Sequence, residues 1–306
     1  NPSITVDMDA PLTGDFVLNT KNGVRVINFT GDSNTFDGLL RVEMADNNQT
    51  VNLAVNADLN VGTSLVVNGR DGSDTIDDGA NSINVTVAML LRGINNFTND
   101  NVLTVGGDFN VITSLETQDT TLRNNGFMGI GGNFTYIGAG GVDRIELAGS
   151  GAVIGGTSYI NISFANDFFT SQLVSMLNGF STDELYIDGG NALGGNSVVT
   201  DSSTFINNDF IVNFTGSTAP NSAVFLGTYG GTYGTFRGGS SADTVVFGAT
   251  APDMFFAALL FAGNDQFTVA NTTILDFLYI DFGTGADTLN DNLGMPWPFG
   301  STILNL

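Results

Sequence analysis

Cysteine and histidine are absent from this sequence of 306 residues, and Lys21 is its single lysine. Without cysteine the chain has no disulfides and no thiolate metal sites. Without histidine as well, the Ser-His-Asp and Cys-His arrangements of hydrolases cannot form. Only six prolines occur, and none lies between Pro11 and Pro220. Such a long stretch without proline favours an uninterrupted ladder of β-strands.

Basic residues are also scarce, because eight of them stand against 31 acidic residues for a net charge of -23. Phosphate binding needs a basic surface, so nucleic acid and anionic membrane surfaces are poor partners. No apolar run reaches the ~18 residues of a membrane span, and no membrane insertion is expected. The chain begins at Asn1 rather than Met, which favours export after removal of a signal peptide. We therefore expect an extracellular or cell-surface protein.

Hydrophobic residues make up 42% of the chain, and 40 glycines are spread along it together with many Asn, Asp, Thr and Ser residues. This hydrophobic content argues against disorder and suffices for a sizeable core. Glycine and the small polar residues mark frequent turns, and Val, Ile, Phe and Thr fill the short runs between them. The pattern predicts an all-β fold of short strands.

A repeat is visible near the C-terminus, where a strand, a Gly/Asn turn, an acidic residue and another strand recur. The acidic residues are Asp243, Asp265 and Asp287, spaced 22 residues apart, and Asn221 occupies the same slot one step earlier. Looser copies lie upstream, around Asp74, Asp143 and Asp183. One unit of this length can hold one coil of a parallel β-helix, whose successive coils stack ~4.8 Å apart.

The sequence therefore predicts one β-solenoid domain over residues 1–306, with coils of about 22 residues. Short segments at the N-terminus (1–10) and C-terminus (291–306) are expected to cap the solenoid or to contact neighbours. Tandem β-sandwich domains are the alternative, since their strands also recur at short intervals. No Pro/Ser-rich linker divides the chain, which favours the single domain.

Finer features follow from local patterns. Alternation within strands predicts that Phe267 and Val269, and likewise Leu259 and Phe261, point into the core. The neighbouring Phe255 and Phe256 are also expected there. The segment from Thr170 to Gly179 has helical spacing and predicts a short protruding helix.

Calcium is the one cofactor that the sequence suggests, because Asp residues follow glycine-rich turns and Ca²⁺ prefers oxygen ligands. The densest acidic cluster gives the first candidates and the last repeats give the others, namely Asp71, Asp74, Asp77, Asp78, Asp281 and Asp287. The alternative is that each Asp accepts hydrogen bonds from backbone N–H groups and so shapes a turn.

Two resemblances follow from these residues. The segment from Phe282 to Leu289 resembles the nonapeptide of RTX (hemolysin-type) repeats, which implies Ca²⁺ held between coils. The chain departs from that family, because it has one imperfect copy per coil instead of tandem copies. The Asp-Thr-apolar units at Asp74, Asp243 and Asp287 and the excess of acids resemble β-strand-repeat surface proteins of planctomycete-type bacteria. That resemblance implies an exported protein with a structural or adhesive role.

Three functions are compatible with the sequence. The first is a non-catalytic extracellular subunit that polymerises with copies of itself, using Ile4, Val6, Met8 and Trp297 as contacts. The second is a calcium-dependent surface adhesin or carbohydrate-binding protein that uses exposed Tyr229 and Tyr233 on a surface polysaccharide. The third is a polysaccharide-active β-helix enzyme; we favour no enzyme, because no Asp/Glu pair stands out from the turn pattern.

Overall fold

The computed structural model describes residues 2–22, 24–31, 34–45, 48–53, 57–70, 72–79, 81–113, 119–138, 140–162, 172–190, 194–270, 274–292 and 301–306. These residues form 35 β-strands and no helix. The strands wind into a β-solenoid with roughly 24 residues per coil. A typical coil contributes one strand to each of three ladders, and strands pair with those of the next coil.

Ladder A begins each coil and contains 13 strands. They are β1 (Ser3–Asp7), β3 (Val26–Thr30), β6 (Thr50–Leu53), β9 (Thr75–Asp78), β12 (Asn96–Asn99), β15 (Thr120–Asn124), β18 (Asp143–Leu147), β21 (Gln172–Met176), β24 (Asn196–Thr200), β27 (Ser222–Phe225), β30 (Thr244–Phe247), β32 (Gln266–Val269) and β34 (Thr288–Asp291).

Ladder B follows ladder A in each coil. It contains β4 (Asn34–Phe36), β7 (Asp58–Val61), β10 (Ser82–Val85), β13 (Val102–Val105), β16 (Phe127–Ile130), β19 (Gly151–Ile154), β22 (Phe180–Thr182), β25 (Phe205–Ile206), β28 (Thr228–Tyr229) and the first residues of β31 (Thr250–Leu259) and β33 (Ile274–Asp281).

Ladder C completes each coil. It contains β2 (Phe16–Asn19), β5 (Leu40–Glu43), β8 (Ser64–Asn68), β11 (Ala88–Arg92), β14 (Phe109–Ile112), β17 (Phe134–Ile137), β20 (Thr157–Asn161), β23 (Glu184–Asp188), β26 (Phe210–Asn213), β29 (Tyr233–Arg237), the last residues of β31 and β33, and β35 (Thr302–Leu304).

Every pairing between described strands is parallel, which confirms the predicted β-solenoid and shows that the β-sandwich alternative is wrong. The predicted step of 22 residues holds at the C-terminal end, where Thr244 pairs with Gln266 and Gln266 with Thr288. Upstream the step varies, and Arg144 pairs with Leu173, 29 residues further on. Coils lengthen where the connections between strands lengthen, so the average exceeds the spacing of the last repeats.

The core is one continuous cluster of buried side chains that extends from Met8 to Phe282. Alternate residues of each strand point inward, and side chains in register stack along the solenoid. In ladder A, for example, the column contains Ile27, Val51 and Ile76, each of them fully buried. This stacking lets a thin rod bury large apolar side chains.

The predicted helix around Thr170–Gly179 is wrong for its described part, because Gln172–Met176 forms strand β21 of ladder A. Leu173 and Val174 pair in register with Arg144 and Ile145 of the preceding coil. The ladder hydrogen bonds and the buried Val174 therefore override the local helical spacing.

The predicted facing of side chains is confirmed for Phe267, Val269 and Phe256, all of which are buried. It is wrong for Phe261, whose side chain is 46% exposed. Strand β31 ends at Leu259, the chain turns a corner at Leu260, which is buried instead, and Phe261 has a φ of 66°. The prediction is also wrong for Leu259 and Phe255, which are half-buried on the face of β31 opposite to the buried Phe256 and Ala258. Alternation itself continues through this segment, because Phe256, Ala258 and Leu260 are buried, and the predicted phase was wrong by one residue.

Candidate functional site

A column of polar side chains lies at the corner where each coil enters ladder A. Its members precede or begin a strand of ladder A and come into register as the coils stack. We name this set the corner column, and its described members are Gln49, Asp74, Asn95, Thr120, Asp143, Asn196, Asn221, Asp243, Asp265 and Asp287. All of them except Asp287 are buried. A polar group without water needs a hydrogen-bond partner, so the column must satisfy itself internally.

Hydrogen bonds link each coil to the next along the corner column. The Asp265 N–H donates to Asp287 Oδ1 at 2.7 Å, and the Asp243 N–H donates to Asp265 Oδ1 at 2.7 Å. The Asn221 N–H and its side-chain amide both donate to Asp243 Oδ1, at 3.1 and 2.7 Å. Similar links join Gln49 to Asp74 and Asp74 to Asn95, at 3.0 Å each.

The interpretation of the Asp residues as acceptors for backbone N–H groups is therefore confirmed at these positions, although most donors come from the preceding coil. Asp243 also accepts from its own turn, where the Gly239 N–H lies 2.7 Å from Oδ2. Each such bond stabilises by about 1.5–3 kcal/mol when the acceptor is charged. The column thus fixes the corner of one coil on the corner of the next.

Glycine is required where this corner approaches the column. A Cβ placed on Gly238 would lie 2.0 Å from Asp243 Oδ2. We expect Gly238→Ala to push the carboxylate away from Gly239 and Asn221 and to lower the free energy of unfolding by about 2–4 kcal/mol. Thermal melting monitored by circular dichroism measures this loss.

A double-mutant cycle provides the control for this prediction. If the clash with the carboxylate is the cause, the effects of Gly238→Ala and Asp243→Ala are strongly non-additive, because the second substitution removes the atom that is struck. Additive losses from the two changes would show that the glycine matters for another reason.

Burial changes the protonation of the column. Desolvation raises the pKa of Asp74 and of Asp143 to about 7. It also raises the pKa of Asp265 to about 6, and the carboxylates of Asp243 and Asp287 add to that rise. The second oxygen of Asp74, Asp143 and Asp265 has no hydrogen-bond partner among the described residues. A carboxyl group that lacks partners for its charge favours the neutral form.

The predicted calcium ligands are scattered in the structure. Asp74 belongs to the corner column and is fully buried, whereas Asp77 is exposed on the outer face of β9. Asp78 ends the same strand, in register with Asn99, and its side chain lies outside the described part. Asp71 also lies outside the described residues. The N-terminal candidates therefore do not converge on one point in the part that the structure describes.

The C-terminal candidates are separate as well. Asp281 Oδ1 accepts hydrogen bonds from the Gly283 N–H at 3.1 Å and from the Asn305 amide at 2.7 Å. Asp287 Oδ1 accepts from Asp265, as described above. Within the described ranges, no three Asp or Glu side chains are grouped so that they could hold a metal ion. Calcium binding stays a prediction.

The residues predicted for assembly that the structure describes lie at the N-terminal end of the solenoid. Ile4 and Val6 are half-buried on the inner side of β1, and Met8, which follows that strand, is 8% exposed. Trp297 lies outside the described residues. At the opposite end Leu289 and Ile303 pack half-buried against the core. Both ends thus present apolar side chains that are covered on one side only.

The tyrosines proposed for carbohydrate binding differ from each other. Tyr229 is fully buried, and its hydroxyl lies 2.8 Å from Thr200 Oγ1, so its predicted exposure is wrong. Tyr233 is 38% exposed and stacks on Phe255, which in turn stacks on Phe277, with centroids 5.8 and 4.8 Å apart. These rings cover one another's faces, whereas a sugar ring stacks on a free aromatic face. Carbohydrate binding stays a prediction, with Tyr233 as its exposed member.

Two shallow grooves of about 440 and 460 Å³ lie near the N-terminal end. Lys21, Arg41 and Arg70 line them together with Glu43, which forms an ion pair with Arg41. Several of the chain's few basic residues are therefore concentrated at this end. The described lining of these grooves does not place two carboxylates together for glycoside hydrolysis, and the polysaccharide-active enzyme stays an untested alternative.

The sequence alone missed four members of the corner column, namely Gln49, Asn95, Thr120 and Asn196. Only their place at the start of a ladder A strand could have revealed them, and that place is visible once the register is known.

The described part of the chain contains no helix that is long and apolar enough to cross a membrane. Comparison of the chain with protein families, with curated proteins and with solved structures gave no match.

Proposed function

We propose that this chain is a non-catalytic extracellular structural subunit that assembles with copies of itself into a cell-surface fibre or layer. The observation that carries the proposal is the pair of open strand edges. β1 pairs only with β3, and β34 pairs only with β32, among the strands that the structure describes. An unpaired edge exposes N–H and C=O groups that accept another parallel strand.

The chemistry of the two ends supports a head-to-tail contact between copies. Lys21, Arg25 and Arg41 lie in the first coils, whereas residues 238–306 contain seven Asp residues and no basic residue. The first coils also carry Asp7, Asp9 and Asp15, so the two ends do not differ in the sign of their net charge. The basic residues of the first coils can nevertheless pair with acids of the last coils, whereas two C-terminal ends offer each other only acidic residues and repel. Because the contact joins two different surfaces, it propagates into a filament unless the rotation closes a ring.

Proline at position 5 tests this proposal. The Met8 N–H donates to the Thr30 carbonyl, and backbone groups alternate along a strand, so the Thr5 N–H lies on the open edge. Thr5→Pro removes that donor while the exposed side chain at this position leaves the core untouched. We expect light scattering and electron micrographs to show polymers of the native chain and none of Thr5→Pro.

Thr5→Ala is the matched control, because it keeps the N–H group and should polymerise like the native chain. Unchanged melting of Thr5→Pro would show that the solenoid itself is intact. A native chain that stays monomeric, or polymers that tolerate proline at this edge, would contradict the proposal.

A further inference from the structure

Thr20 and Gln49 meet on the side of the solenoid where the second and third coils enter ladder A. Thr20 follows β2 of ladder C, and Gln49 precedes β6 of ladder A. The Thr20 hydroxyl lies 3.1 Å from Gln49 Oε1 and 3.2 Å from the carbonyl oxygen of Glu43. The Thr20 N–H donates to the same carbonyl oxygen at 2.9 Å, and this hydrogen bond fixes the backbone of Thr20. A nucleophilic oxygen is thus held beside a carboxamide.

The carboxamide of Gln49 is unusual in its surroundings. Gln49 is 1% exposed, yet its Nε2 has no hydrogen-bond partner among the described residues. A buried amide nitrogen without an acceptor destabilises the fold, so the site gains if that group is removed. The backbone of Gln49 is fixed on the other side, where its N–H donates to Asp74 Oδ1 at 3.0 Å.

We propose that Thr20 and Gln49 form a covalent ester that links two coils. Thr20 Oγ1 attacks Gln49 Cδ, a C–O bond forms, and the Cδ–Nε2 bond breaks. The proton of the hydroxyl ends on the leaving nitrogen, which departs as ammonia. No oxidant, metal or cofactor takes part, and the product is a side-chain ester between residues 20 and 49.

Two physical conditions make this exchange of an amide for an ester favourable here. The fold holds the hydroxyl and the carboxamide together, which replaces an encounter in solution by an intramolecular step with a high effective concentration. Thr20 lines the groove beside Lys21 and Arg70, through which the ammonia can leave, and the burial of Gln49 on the other side of the bond limits the access of water to the ester carbonyl. The cross-link closes a loop between coils and holds the first coils together, and it is independent of the proposed polymerisation.

Mass spectrometry tests the proposal on chain that is purified in its folded state and then denatured. We expect a mass lower than that of the sequence by one molecule of ammonia. Trypsin cleaves after Lys21, Arg41 and Arg70, so the link should join the peptide that ends at Lys21 to the peptide of residues 42–70. Hydroxylamine, which cleaves esters and spares amides, should separate these two peptides.

Variants complete the test. Thr20→Ala and Gln49→Ala should have the full mass expected for their sequences, whereas Thr20→Ser keeps a hydroxyl and should keep the deficit. Thr30→Ala is the matched control, because it removes a hydroxyl that donates to Asp7 Oδ1 at the surface, away from Thr20 and Gln49, and it should leave the deficit unchanged. A deficit that persists in Thr20→Ala, or separate unmodified peptides from the native chain, would overturn the proposal.

Discussion

The protein is expected to resist heat better at about pH 5 than at about pH 8, because its corner column buries carboxyl groups that favour the neutral form. Asp74 and Asp143 have a pKa of about 7 in the fold, and Asp265 has a pKa of about 6, against an ordinary value of 3.8. The cause in each case is first of all desolvation. Melting temperatures measured across this range test the expectation.

The direction follows from proton binding by the two states. A raised pKa means that the folded chain binds the proton more tightly than the unfolded chain does. The contribution to stability is complete below pH 3.8, where both states are protonated, and it is lost as the pH rises through about 6 to about 7. Lower pH also reduces the net charge of -23 and its self-repulsion, which acts in the same direction.

Asp265→Asn separates the effect of the buried carboxyl groups of the corner column from the effect of the net charge. Burial raises the pKa of the Asp265 carboxyl to about 6, so its ionisation at high pH destabilises the fold, and Asp265→Asn removes that ionisation. An amide fits the position, since the Asn221 amide already donates to Asp243 Oδ1 at a corner of the same column. The amide introduced by Asp265→Asn could donate to Asp287 Oδ1 in the same way. The variant should melt higher than the native chain at about pH 8 and show a flatter pH profile.

Asp253→Asn is the matched control, because it removes the same charge from an exposed position of β31. It should shift the melting temperature little at any pH. If both variants change stability equally, the pH dependence comes from net charge and not from burial in the corner column. A native chain that melts higher at alkaline pH would contradict the raised pKa values altogether.

The corner column also shows how far the sequence alone could lead. The spacing of Asp243, Asp265 and Asp287 predicted stacked coils, because the last coils have connections of equal length. It could not identify the donor to each carboxylate, which lies in the neighbouring coil and depends on the register of the whole ladder. Gln49 gave no signal, since its residue type differs from the repeat.

The alternation of side chains along a strand was predictable from the sequence, but the choice of the face that points into the core was predictable only in part. Phe267 and Val269 are buried as expected because they lie in the short strand β32 between two turns. Phe261 is exposed because Ala258 and Leu260 are the inward positions of this segment. Both phases of the apolar run contain large side chains, so the sequence alone could not decide which phase faces the core. The strand β21 at Gln172–Met176 was missed because helical spacing and strand pairing compete, and only the neighbouring coils decide between them.

Phe256→Ala is expected to have the largest effect of any single change near the C-terminal end. Phe256 is fully buried and stacks on Phe247 with ring centroids 4.2 Å apart. Its ring also contacts Phe210, Phe225 and Phe267, with centroids 5.7, 6.2 and 6.3 Å away. Truncation removes the shared partner of four aromatic rings and leaves a cavity, so we expect a loss of about 3–5 kcal/mol.

Phe255→Ala is the control that the chain itself offers, because the two residues are neighbours in β31 and face opposite sides of the sheet. Phe255 is half-buried and stacks only on the outer rings of Tyr233 and Phe277. Its truncation leaves no internal cavity and should cost about 1 kcal/mol.

Urea denaturation followed by circular dichroism compares the two variants. Since each coil of a solenoid is stabilised mainly by its neighbours, Phe256→Ala should unfold the C-terminal coils before the rest. Equal losses from the two variants would contradict the alternation on which the stacked core depends.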